Sequence, residues 1–141
     1  MDIGNEKIYE RVCESFYKQG FLKHIGAKVE YASEGVVVVS CEKTESLLQQ
    51  MGVVHAGVIS TIADTAGGYA ALTVLPEGKE VVSVELKVNL MRPGAANKLI
   101  ARGEVLKAGK SIVTVEATVV GDDDKLIAKM IATMFVVDKQ R

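Results

Sequence analysis

The segment from Gln49 to Thr73, QQMGVVHAGVISTIADTAGGYAALT, limits what this chain can fold into more than any other stretch. It carries one formal charge, Asp64. Small residues at Ala56, Gly57, Ala63, Ala66, Gly67, Gly68, Ala70 and Ala71 are interleaved with Val58, Ile59, Ile62, Tyr69 and Leu72. That pattern predicts a helix, starting near Ala56 or Gly57, that is apolar on nearly all sides and enclosed by the rest of the fold. Because a carboxylate is almost never fully buried without a partner or a task, Asp64 is the residue whose presence has to be explained.

The flanking sequence supplies the enclosure. From Asn5 to about Gln19, Ile8, Val12 and Phe16 recur every four residues beside Tyr9, Cys13 and Tyr17, which predicts an amphipathic helix ending near Gly20. Phe21, Leu22 and Ile25 then lead into a short strand over 27–31. A turn at Ser33, Glu34 and Gly35 precedes a β-branched strand over 36–41. Beyond the break at Pro76–Lys79 the pattern changes to period-two alternation, giving four strands over 81–91, 98–106, 111–120 and 126–137. Their links, Pro93–Gly94, Ala108–Lys110 and Gly121–Lys125, are short enough to predict an antiparallel meander in chain order. The expected fold class is therefore α+β, one antiparallel sheet curled around a central hydrophobic helix, in a single domain over residues 1–141. A lone curled sheet leaves a strand edge open, which favours pairing with a second copy.

Composition removes several function classes. With 17 basic and 18 acidic residues the chain has no broad charge excess to hold nucleic acid or an anionic membrane. Cys13 and Cys41 lack a disulfide or zinc spacing, so both are expected to be reduced thiols. The N-terminus has no apolar signal-peptide core and the one long apolar run is interrupted by Asp64, which points to the cytoplasm. Asp122, Asp123 and Asp124 lack the spaced ligands and the terminal glutamate of a calcium loop and read as a solvated turn, so no metal site is expected.

The motifs VVHAGVISTIADTAGGYAA, VVSVELKVNLMRPG and KAGKS resemble those of the hotdog-fold thioesterases of the phenylacetate (PaaI-like) type, a likeness that covers nearly the whole chain. That family's motif is His-Gly-Gly followed by an apolar helix whose acidic residue lies nine positions after the His, the spacing of His55 and Asp64 here. Gln49 matches the amide six residues before the His, and Ser83 the hydroxyl early in the strand after the helix. Two positions depart: Ala56 stands where glycine is usual, and Gln49 where asparagine is common. The resemblance implies a hotdog domain that hydrolyses acyl-coenzyme A, with no metal or redox cofactor, as a homodimer pairing into a homotetramer. It also makes Arg92 and Lys110, with Lys87 and Lys107 behind them, the candidates for the coenzyme A phosphates.

Thioester hydrolysis needs a nucleophile and a donor placed where negative charge develops on the carbonyl oxygen. Unpaired N–H groups at the helix start assign the oxyanion contact to Ala56, with Gly57 in support. Asp64 is then the general base for water or a direct nucleophile; as a plain buried residue it would instead bond Ser60, Thr61 or Thr65. Gln49 and Ser83 are candidates to hold the water or orient Asp64. His55 either fixes the turn or faces the leaving thiolate. Gly57 and Asp64 share a helix face through Thr61 and Gly68, but seven residues separate them by roughly 10 Å, too far for one carbonyl. The two groups are expected to meet from different subunits. A non-catalytic acyl-thioester-binding module is the main alternative, and a hydratase on the same fold a more distant one.

Overall fold

The first helix begins where Asn5 caps it: the Asn5 side chain accepts the Ile8 N–H at 3.1 Å. The computed structural model, which describes residues 1–140, places this helix, α1, at Glu6–Phe16, with Val12 and Phe16 buried on its inner face. It is shorter than the sequence predicts. A second helix, α2, occupies Gly20–Ile25, and the left-handed residue that stops it is Gly26 with φ 75°. Gly20 thus opens a helix instead of closing one, because the positive φ that demands glycine falls six residues later.

Strands β1 (Lys28–Ser33) and β2 (Val36–Glu42) form a hairpin, and a short 3₁₀ turn at Glu45–Leu47 leads to the central helix, α3, at Ala56–Thr73. Four long strands follow: β3 (Lys79–Leu90), β4 (Lys98–Ala108), β5 (Ile112–Gly121) and β6 (Leu126–Asp138). All six belong to one antiparallel sheet in the order β1-β2-β4-β5-β6-β3. The curled sheet around a hydrophobic helix is the hotdog arrangement that the resemblance implies.

The meander in chain order is corrected. β3 does not pair with β4; it lies at the far edge against β6, and β4 inserts between β2 and β5. The segment read as a tight Pro93–Gly94 turn is a crossover beneath the start of α3, where the Val54 N–H donates to the Gly94 carbonyl at 3.0 Å. A Cβ on Gly94 would lie 3.2 Å from Ile59 and 3.3 Å from Val54, so the bare backbone is what lets the chain pass there.

Helix α3 lies chiefly over β4, β2 and β5 and covers β3 only in part, meeting it at Ser83. Its approach is close because small residues face it: Gly103 on β4 is flanked in register by Val37 and Ala117, and it sits directly under Ala66 and Gly67. Leu86 and Leu90 point to the α3 side of the sheet, as their partners Ala132 and Ala128 do, yet remain 43% and 50% exposed. The helix is likewise open along one strip, where Gly57 is exposed and Thr61, Asp64 and Gly68 are half-buried. The expectation of enclosure on nearly all sides is therefore not met by one copy of the chain.

A methyl group on Gly103 would fall inside the backbone of Ala66 and Gly67, where no side chain can yield. Gly103→Ala is expected to cost about 3 kcal/mol or more by overpacking. Gly78→Ala, in open space but at φ 85°, is expected to cost only about 1 kcal/mol. Urea unfolding of both variants checks the contrast; similar midpoints would show that the helix can lift off the sheet at little cost.

Candidate active site at the ends of the central helix

The start of α3 is built by His55. Its backbone N–H donates to the Leu47 carbonyl at 2.9 Å, its φ and ψ are −58° and 137°, and its Nδ1 accepts the Gly57 N–H at 2.9 Å. The imidazole therefore serves as the helix cap, the turn-fixing role among the two considered for it. Capping commits the Gly57 N–H, which leaves the Ala56 N–H as the donor at the helix start. Among the described residues that group has no hydrogen-bond partner. Ala56 is exposed and lines a cavity of about 620 Å³ with Gln49, Met51, Val53, Leu90 and Arg92. Gln49 Oε1 accepts the Met51 N–H, which ties the side chain to its own loop and leaves its amide N–H groups uncommitted.

The carboxylate is elsewhere. Asp64 lies eight residues beyond Ala56, about 12 Å along the axis at the helical rise. The Ser83 hydroxyl donates to Asp64 Oδ1 at 2.7 Å and lies 3.2 Å from the Met134 sulfur. A bulge aims Ser83: the β3–β6 register shifts between Ser83 and Glu85, so Val84 is the extra residue and Ser83 keeps the α3 side. One hydroxyl donor leaves Asp64 with free lone pairs for a water. The pair opens on a cavity of about 210 Å³ that also touches Gly68, Tyr69 and Glu80.

The sequence-predicted residues thus fall into separate groups. Gln49, His55, Ala56, Gly57 and Arg92 gather at the start of α3; Asp64 and Ser83 meet two turns later. Lys107 and Lys110 line a third hollow of about 400 Å³ at the β4–β5 hairpin, and Lys87 stands exposed on β3 opposite Ile131. Thr61 spends its hydroxyl on the Gly57 carbonyl at 2.8 Å. Sequence reasoning missed the polar group at the back of the Asp64 cavity, where Ser15 of α1 and Gln19, the residue that precedes α2, reach the Tyr69 hydroxyl at 2.9 and 2.7 Å. They lie on either side of the turn between the two helices, so no single-helix periodicity signals the group. Among the described residues there is no cluster of three or more metal-ligating side chains, and no helix is long and apolar enough to cross a membrane.

Known proteins share this architecture. The family model of the thioesterase superfamily matches residues 51–128. A protein of Saccharolobus solfataricus, provisionally named an esterase, is 31% identical over 131 residues, 93% of this chain and 89% of its own. The crystal structure of a thioesterase family protein from Silicibacter pomeroyi superposes with a TM-score of 0.89 at 32% identity, covering 94% of this chain and 99% of that one. The acyl-coenzyme A thioesterase PaaI of Escherichia coli is 25% identical over 125 residues, 88% of this chain and 87% of its own. The match to the superfamily across the central helix and most of the sheet, joined to the near-complete overlap with these relatives, makes this chain a member of the thioesterase superfamily, a PaaI-like hotdog enzyme of the thioester hydrolase class.

Proposed function

We propose that the protein hydrolyses acyl-coenzyme A thioesters at sites shared between two copies of the chain. The observation that carries this reading is the division of the site: a donor without a partner at Ala56, at the start of α3, and an Asp64–Ser83 pair about 12 Å farther along the helix. A base or its water must come within about 3 Å of its target, and an oxyanion donor equally close to the carbonyl oxygen. A second α3 packed antiparallel along the open strip of the helix brings the Asp64 of one copy to the Ala56 of the other, twice, as a two-fold axis requires. The uncovered β3 edge supports this pairing, since Val84, Leu86 and Leu90 are 58%, 43% and 50% exposed there.

In this reading the thioester carbonyl oxygen accepts the Ala56 N–H at the positive end of α3. Ser83 holds Asp64, and Asp64 takes a proton from water as the water oxygen bonds to the carbonyl carbon; direct attack by Asp64 through a mixed anhydride is the other route. Collapse of the tetrahedral adduct breaks the C–S bond and releases coenzyme A as its thiolate. Gln49 offers its amide to the same carbonyl or water. Arg92 meets the coenzyme at the cavity rim, and Lys110, Lys107 and Lys87 are the further cations for its phosphates. The substrate class draws on the Escherichia coli relative, which is named for acyl-coenzyme A. The assembly is a cytoplasmic homodimer pairing into a homotetramer. Its second contact draws support from the outer-face rung of Val82, Phe135 and Ile112, all exposed.

The purified protein is expected to release coenzyme A from a panel of short, medium, long and aromatic acyl esters, and stoichiometric binding without turnover on any of them would favour the binding-module reading. Asp64→Asn should lower kcat roughly 10²–10⁴-fold, the range for loss of a general base, with the oligomer intact by sedimentation. Loss of folding and oligomer together in that variant would make Asp64 a structural residue.

Ala56→Pro isolates the oxyanion donor. Ala56 is the first helical residue, where proline is tolerated, and the ψ of 137° at His55 already suits a residue that precedes proline. Only the N–H is removed, and kcat is expected to fall about 10²–10³-fold with little change in melting temperature. Mixing Ala56→Pro and Asp64→Asn chains under conditions that exchange subunits should restore about a quarter of wild-type activity, since half of the dimers are mixed and each holds one intact site. No recovery would place the complete site within one chain.

A further inference from the structure

The cavity beside Asp64 is polar at its far end. Tyr69 lies five residues beyond Asp64, about 7.5 Å farther along α3, and its hydroxyl is held from the end of α1 and the turn after it: Gln19 Nε2 donates to it at 2.7 Å and Ser15 Oγ lies 2.9 Å away. The hydrogens can be counted. Gln19 brings two N–H groups and the two hydroxyls one O–H each, while the two contacts use only one N–H and one O–H. One hydroxyl hydrogen, one amide hydrogen and the Gln19 carbonyl oxygen therefore remain for a further partner. Tyr69 is only 8% exposed, and burial pushes its hydroxyl pKa up, with the Glu80 carboxylate adding to the rise, so the group stays a proton donor.

Charge in the cavity is one-sided. Glu80, half-buried at the start of β3 and in the outward register of Val82, borders the cavity from the strand edge and shares its lining with Asp64; among the described residues no lysine, arginine or histidine lines it. Of the four cations that line the adjoining hollow, Arg11, Lys18, Lys79 and the exposed Lys139, the first three have other partners. Lys79 sits 2.6 Å from Asp138, Lys18 3.9 Å from Glu14, and Arg11 donates to the carbonyls of Leu75 and Pro76 at 3.0 and 3.4 Å. At about 210 Å³ the space exceeds the ~150 Å³ that suffices for a benzene-sized guest, so a compact acyl chain fits. A carboxylate at the end of that chain would lie among the Asp64 and Glu80 charges with no cation on the cavity lining to meet it, whereas a hydroxyl would find both a donor and an acceptor.

We propose that this cavity is the acyl subsite and that Glu80 and Tyr69 select substrates by the far end of the acyl chain, accepting a neutral, hydroxyl-bearing end and rejecting a carboxylate. The inference rests on the thioesterase reading above, with Asp64 as the group that acts on the thioester. Glu80 supplies the repulsion and Tyr69 the hydrogen bond; neither takes part in the chemical step.

The experiment compares kcat/KM of the wild-type oligomer, Glu80→Gln and Tyr69→Phe for three esters of equal chain length: hexanoyl-, ω-hydroxyhexanoyl- and adipoyl-coenzyme A. In the wild type the adipoyl ester is expected to be at least about tenfold poorer than the hexanoyl ester, as like-charge juxtaposition requires. Glu80→Gln should raise the adipoyl-to-hexanoyl ratio about tenfold, because the closer repulsion is gone. Tyr69→Phe should lower the ω-hydroxyhexanoyl-to-hexanoyl ratio about fivefold, the value of one neutral hydrogen bond. A structural role for either residue would move all three esters together and leave the ratios fixed. Fixed ratios with hexanoyl-coenzyme A still hydrolysed would overturn the subsite and spare the thioesterase reading. Absence of turnover on all three esters and on the wider panel would instead overturn that reading, and the subsite with it.

Discussion

Helix α3 rests on the sheet at backbone distance where Gly103 passes beneath Ala66 and Gly67, and the position of every site residue follows from that contact. The low row of Gly103 and Ala117 lets the helix sink onto β4 and β5, with Val115 and Met130 closing around Gly67. A helix seated so closely meets β3 only in part: Ser83 reaches Asp64, while Leu86 and Leu90 on the same face stay exposed and the core beneath β2, β4 and β5 is sealed. One packing contact thus produces both the stable core and the uncovered strip on which Asp64 opens.

Two local devices refine what that contact sets. His55 spends its Nδ1 on the Gly57 N–H, which fixes the first turn and singles out Ala56 as the free donor. The bulge at Val84 keeps Ser83 on the α3 side, where its hydroxyl meets Asp64, while Val82 and Glu85 go to the outer face with their partners Phe135 and Thr133. Both devices act on backbone geometry over one or two residues. The departure of Ala56 from glycine brings no positive-φ strain, because the residue is helical and keeps its backbone N–H.

Much of this was legible in the sequence. The apolar run gave α3 within a residue of its start, and period-two alternation gave the four long strands, because both signals come from burial within one element. The pairing of β3 with β6 was not legible. A seven-residue link of ordinary composition serves equally for a wide turn and for a crossover, and only the Gly94 passage under Val54 and Ile59 decides between them. Helix α2 was missed because Gly20 looked like a stop, although the left-handed residue is Gly26. At the site, Asp64 and Ser83 are both legible and do meet, but the Tyr69–Ser15–Gln19 group needs α3 to pack against the end of α1 and the turn into α2, which no one element announces alone.

The strand that remains partly uncovered also carries part of the site, and this ties assembly to chemistry. Ser83 belongs to β3, the edge strand, and holds Asp64 from there. If a second copy adds to that edge, the hydrogen bonds that align the two β3 strands set the height of one α3 against the other, and with it the distance from Asp64 to the opposing Ala56. Register in a sheet moves in steps of about 3.3 Å per residue, close to the whole reach of a hydrogen bond. A slip of one residue would carry the base out of range and would also turn Leu86 and Leu90 away from the helices they must cover. In the proposed dimer the apolar pattern of β3 would therefore specify the same register that the chemistry requires, and burying that edge would complete the site.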